Sequence, residues 1–73
     1  MSASSAIKQR LTDLNISQSE LARQLGTDRQ NIYHKLQRDN FSSRELDQIC
    51  KILKLKLIMV DENKKEYIID YDK

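Results

Sequence analysis

Gly26 is the only glycine among 73 residues, and it separates two short apolar patterns of helical period. Leu21, Ala22 and Leu25 precede it; Ile32 and Leu36 follow. A tight bend between two helices needs a residue with φ > 0, which glycine adopts without a Cβ penalty. Ala22 is small where a bulkier residue would keep the second helix from crossing the first closely. Two short helices joined by a turn of three or four residues, the second with a polar outer face, describe a helix-turn-helix. That geometry carries the second helix into the DNA major groove. The expectation is a sequence-specific DNA-binding protein.

The remaining elements follow from period and capping. Residues 1–4 are small and polar and are expected to be disordered. Ile7, Leu11 and Leu14 form one buried stripe of a helix over residues 5–14, ended by Asn15. Ser17 with Glu20 reads as a capping box that opens the second helix, and Ser42 with Glu45 as another that opens a fourth. Thr27 or Asp28 caps the third helix, which runs to about residue 37, and residues 38–42 form a loop. Leu46, Ile49, Cys50 and Leu53 line the inner face of the fourth helix. From Lys56 the period changes. Residues 57–60 and 67–69 are β-branched or aromatic runs around a polar stretch at 61–65, the pattern of a hairpin. The fold class expected is mainly α: a four-helix DNA-binding domain over residues 1–55, and a β-hairpin tail over residues 56–73 packed with the same single domain.

A chain this short buries only about 60% of its unfolded surface. One cysteine and one histidine exclude an internal disulfide and a zinc cage, which leaves dimerisation as the source of added stability. No apolar stretch approaches the ~20 residues that span a membrane, and the start of the chain does not read as a signal peptide, so a cytoplasmic location is expected. The net charge is only +2, but residues 1–60 hold ten Lys/Arg against six Asp/Glu, and residues 61–73 three against five. The basic share coincides with the helices, as expected if they meet phosphate and the tail meets protein.

On the third helix Ile32 and Leu36 face inward, which turns Gln30, His34 and Gln37 outward, flanked by Asn31 and Tyr33. No acid follows Asp28 on this helix. Arg29, Gln30, Tyr33 and His34 are the candidate base contacts. Arg pairs in two-point fashion with guanine and Gln with adenine, imidazole bonds a base edge, and the tyrosine ring packs on a thymine methyl. Gln18, Asn31, Lys35, Arg38, Asn40, Ser42 and Arg44 are the candidate phosphate contacts, placed at two positive helix starts and around the loop after the third helix. Each of these could equally be a solvated polar residue; only the set is distinctive. Cys50 on a core stripe reads as an inert thiol, and His34 faces away from it. No catalytic residue, metal ligand, cofactor site or small-molecule substrate site is evident.

Gln18, Leu21, Ala22, Leu25, Gly26 and Ile32 together resemble the helix-turn-helix family of the lambdoid phage repressors and Cro proteins, over about residues 5–55. Residues 29–42 further resemble small regulators of phages and conjugative elements of low-GC Gram-positive bacteria. The resemblance implies base reading by Arg29, Gln30 and His34, and a phosphate clamp at Gln18. Lys35 departs from it, since the family often has a bulky apolar residue there; here Leu36 is next, which implies a slightly rotated third helix. The repressors also carry a fifth helix where this chain has a hairpin. Cro of phage lambda likewise ends in strands, through which its subunits pair.

Leu57, Met59, Tyr67, Ile69 and Tyr71 are expected on one face of the hairpin, with Ile58, Val60 and Ile68 on the other. Both faces are apolar, and an isolated hairpin is marginal in water. The first five are therefore the candidate dimerisation residues, and the expected function is that of a repressor, a homodimer that binds a palindromic operator on double-stranded DNA. Two other functions fit the same pattern: the antitoxin of a toxin–antitoxin pair, and a protein-interaction module that has lost DNA binding.

Overall fold

The computed structural model describes residues 1–72. Four helices come first: α1 (Ala3–Leu14), α2 (Gln18–Leu25), α3 (Arg29–Arg38) and α4 (Ser43–Ile52). Strands β1 (Ile58–Val60) and β2 (Glu66–Ile68) then pair antiparallel. The expected class, mainly helical with a C-terminal hairpin, is the class observed.

Side chains and left-handed residues set the ends of the helices. Ser2, Ser17, Asp28 and Ser42 are the N-caps, each accepting a backbone N–H three residues on. At Ser42 the box is reciprocal, because the Glu45 carboxylate takes the Ser42 N–H at 3.0 Å. At Ser17 it is not: the Glu20 carboxylate turns downstream to Arg23 and Gln24. The arginine fork outcompetes a single backbone N–H, and the capping box expected at Ser17 is half made. Together Arg23 and Gln24 hold the Glu20 pKa at about 2. Asn15, Gly26 and Asp39, with φ of 56°, 74° and 52°, close the first three helices.

The start of the chain departs from expectation. Residues 3 and 4 belong to α1, and Ser4 is buried. The reason is a partner distant in sequence: the Ser4 N–H donates to Asp39 Oδ1 at 2.9 Å. The C-cap of α3 thus serves as an acceptor for the first turn of α1, where a negative charge also meets the positive helix end. The Ser4 hydroxyl and backbone amide both hold the Asp39 carboxyl below its ordinary range.

Ile7, Leu11, Leu21, Ala22, Ile32, Leu36, Ile49 and Leu53 form the buried core, one or more from every helix and from the turn after α4. Leu14, Leu25 and Leu46 pack against it from its margin. Cys50, expected in the core stripe, is only half-buried; burial, then the Asp47 carboxylate, pushes its thiol pKa up. Arg10 ties α1 to the end of α4, donating from Nε to the Leu53 carbonyl at 2.9 Å.

In the hairpin Ile58 faces Ile68, Met59 faces Tyr67 and Val60 faces Glu66. One further bond, from Ile69 N–H to the Leu57 carbonyl at 2.8 Å, extends the ladder towards the helices. Asp61 folds the turn by accepting the N–H groups of Asn63 and Lys65 on one carboxylate oxygen. β1 begins one residue later than expected, β2 is shifted back by one residue, and Tyr71 lies in a turn beyond β2 rather than on the hairpin face with Ile69.

A Cβ built on Gly26 would meet nothing within 4 Å, so the requirement there is conformational and not steric. Gly26→Ala is expected to cost about 1–2 kcal/mol, the penalty of a left-handed residue with a Cβ. Gly26→Asn should cost less, because Asn15 already makes such a cap. Urea denaturation of both variants checks this; equal losses would contradict it.

Candidate nucleic-acid interface

Helix α3 is amphipathic in a simple way. Ile32 and Leu36 are buried, while Arg29, Gln30, Asn31, Tyr33, His34, Gln37 and Arg38 are exposed. Burying Ile32 against α2 leaves one rotational setting of the helix, and that setting turns the polar residues away from the core. The four candidate base contacts therefore share one open surface. Asp28, Arg29, Gln30 and Tyr33 border a shallow groove there. Tyr33 and His34 meet edge to face, ring centres 5.8 Å apart. This contact limits the freedom of both rings before any ligand arrives.

Hydrogen bonding differentiates the candidate phosphate contacts. Asn31 is committed to the turn, its Nδ2 donating to Thr27 Oγ1 at 2.9 Å. Lys35 pairs with Glu45 across the gap between α3 and the first turn of α4. Its ammonium is the leading cause of the lowered Glu45 pKa, with the Ser42 backbone second. The position at which the family resemblance expects a bulky apolar residue is thus half-buried by an ion pair, and α3 keeps Leu36 in the core. Ser42 has both its N–H and its Oγ engaged in the capping box. The free donors at the start of α4 are the N–H groups of Ser43 and Arg44, which have no intrahelical acceptor. Arg38 and Asn40 are exposed, and Arg38 has no ion pair among the described residues.

Gln18 opens α2 beside a depression bordered by Lys8, Thr12, Asn15 and Ser17. Its Oε1 is enclosed and without a hydrogen-bond partner. The amide is half-buried at a positive helix end, with Lys8 nearby to add charge.

The sequence reading missed a group of residues along α4. Asp47, Lys51 and the tail form a clasp: Lys51 Nζ donates to Asp47 Oδ2 and to Asp70 Oδ1, each at 2.9 Å, and to Asp72. The Tyr71 N–H adds a bond to Asp47 Oδ2 at 3.2 Å. The three carboxylates bring ligand oxygens within 4.8 Å of one another, but the Lys51 ammonium already supplies their cation and has its own pKa raised by them. The i, i+4 spacing of Asp47 and Lys51 was a visible signal; the approach of Asp70 and Asp72 was not.

Residues 6–58 match the family model of the Cro/C1-type HTH DNA-binding domain. The chain belongs to this family. No match to a curated protein or to a solved structure was found. Membership makes this a DNA-binding helix-turn-helix domain, with α2 and α3 as its paired helices. The Cro/C1-type match runs from within α1 through α2, α3 and α4 and ends in β1, so the first turn of α1, β2 and the clasp residues Asp70 and Asp72 lie beyond it. Among the described residues no helix is long and apolar enough to cross a membrane.

Arg38 offers its charge without a competing carboxylate, whereas Lys35 is shared with Glu45. Arg38→Ala should therefore lower the slope of log affinity against log salt by about 1, and Lys35→Ala by less. Titrations of a DNA duplex across a salt series test this; a larger loss for Lys35→Ala would show that the Glu45 pair opens on DNA.

Proposed function

We propose that the protein is a sequence-specific transcriptional regulator, a repressor, that binds a palindromic operator as a homodimer. The observation that carries the reading is the outer face of α3. Arg29, Gln30, Tyr33 and His34 are exposed together there, with no acid between Asp28 and Asp39. Arg29 suits guanine, Gln30 suits adenine, and His34 one turn later reaches the next base edge. Gln18, Arg38, Asn40 and the start of α4 supply the phosphate contacts that fix the register. Asn31, Lys35 and Ser42 keep a supporting part, since their side chains also hold the turn, Glu45 and the α4 cap. The likeness of residues 29–42 to small regulators of phages and conjugative elements of Gram-positive bacteria supports the repressor setting.

The hairpin supports the homodimer. Met59, Val60, Tyr67 and Ile68 are 66%, 53%, 50% and 67% exposed. Met59 and Tyr67 lie on one face, Val60 and Ile68 on the other. Leu57 and Ile69, nearer the helices, are half-buried. Four exposed apolar side chains on a two-stranded sheet are a surface in want of a partner. A second hairpin completes a four-stranded sheet and places the two α3 helices about 34 Å apart, on successive major grooves. Tyr71 has its ring on Arg44 and is left out of this interface.

Two measurements test the reading. Gln30→Ala and His34→Ala should each relax specificity at one position per half-site and cost roughly 1–3 kcal/mol there. Sedimentation should show a dimer at micromolar concentration that Met59→Glu converts to monomer. Parental affinity in both alanine variants would overturn the base assignment, and a monomeric parent would overturn the dimer.

A further inference from the structure

Arg44 occupies the second position of α4, where a cation opposes the helix dipole. No carboxylate compensates it, since Arg44 has no ion pair or side-chain hydrogen bond among the described residues. What it has is an aromatic ring. Arg44 Cζ lies 4.9 Å from the centre of the Tyr71 ring. A stacked guanidinium is held through its face and keeps its five N–H donors free in the plane. Such an arginine is oriented without being neutralised.

The ring is itself fixed. Arg44, Asp47 and Lys51 fall at i, i+3 and i+7 and form one stripe along α4. The tail lies along this stripe. Lys51 binds Asp70 and Asp72 on either side of Tyr71, and the buried Asp47 takes the Tyr71 N–H. The clasp accounts for the tail's path, and the tail's path delivers the ring to Arg44.

We infer that Tyr71 is a positioning residue, holding Arg44 at the start of α4 for a bidentate contact to a DNA phosphate. The inference rests on the DNA-binding reading with Arg44 as a phosphate contact. It gives the tail a part in DNA binding separate from any role of the hairpin in dimerisation. Phosphate is the fitting ligand because a planar fork of donors beside two unpaired backbone N–H groups matches a tetrahedral oxyanion. The gain comes from ordering: a long side chain already held in place loses less freedom on binding.

A double-mutant cycle on the full chain, with a mixed-sequence DNA duplex titrated across a salt series, tests this. Arg44→Ala should lower the salt slope by about 1. Tyr71→Ala should weaken binding about two- to fivefold, the factor corresponding to an exposed cation–π contact, and leave the slope near that of the parent. In the Arg44→Ala background the same change should do nothing further, and Tyr71→Phe should bind as the parent does. Sedimentation of Tyr71→Ala should match the parent, which separates positioning from dimerisation. If Arg44→Ala weakens binding while Tyr71→Ala does not, or if Tyr71→Ala costs as much without Arg44 as with it, the positioning role is overturned. If Arg44→Ala leaves affinity and slope unchanged, Arg44 is no phosphate contact, and it is that premise which fails.

Discussion

The left-handed cap at Gly26 is the constraint on which the interface depends. Its N–H bonds back to the Arg23 carbonyl at 3.1 Å, and the next N–H, from Thr27, reaches the Ala22 carbonyl at 3.0 Å. These bonds satisfy the last carbonyls of α2 and reverse the chain within two residues. Asp28 can then cap α3 at once. Leu21 and Ile32, among the most deeply buried side chains of the core, set the rotation of α3 about its axis. Every exposed residue on α3 inherits its direction from that packing. The polar face is the consequence of a turn and a few apolar contacts, not of interactions among the polar residues themselves.

That chain of causes explains how much was legible in the sequence. Helix-period apolar residues, capping serines and a lone glycine act over three or four residues, so four helices and their order could be read directly. Base candidates on α3 were legible for the same reason, since a single buried stripe fixes the opposite face. Interactions between distant residues could not be read. Ser4 is ordered by Asp39, a partner 35 residues away that no local pattern reveals. The spacing of Ser17 and Glu20 predicts a reciprocal cap, but Arg23 offers Glu20 a charged fork on the next turn. Lys35 is a candidate phosphate contact by its place beside the loop after α3, and nothing local shows that Glu45 reaches it from α4. Local pattern shows which groups are available, and tertiary contacts decide which of them are already engaged.

The tail carries the same lesson further. Alternation of apolar residues placed Leu57, Met59, Tyr67 and Ile69 on one hairpin face, in agreement with the observed register. It failed for Tyr71, because the strand ends at Ile68 and the chain turns onto α4. The acidic balance of residues 61–73, read as a protein-facing feature, is in part spent within the molecule: two of its carboxylates close on Lys51. A segment that composition marks as separate from the DNA-binding helices is thereby fastened to α4.

The proposed DNA-binding surface is α3 with the starts of α2 and α4. The most direct test is to titrate isotope-labelled protein with duplex DNA and follow the backbone amide resonances by NMR. The largest shifts should fall on Gln18, on residues 29–38 and on Ser43 and Arg44, while residues 58–68 of the hairpin stay in place. Shifts concentrated in the hairpin, with the α3 amides unmoved, would contradict it.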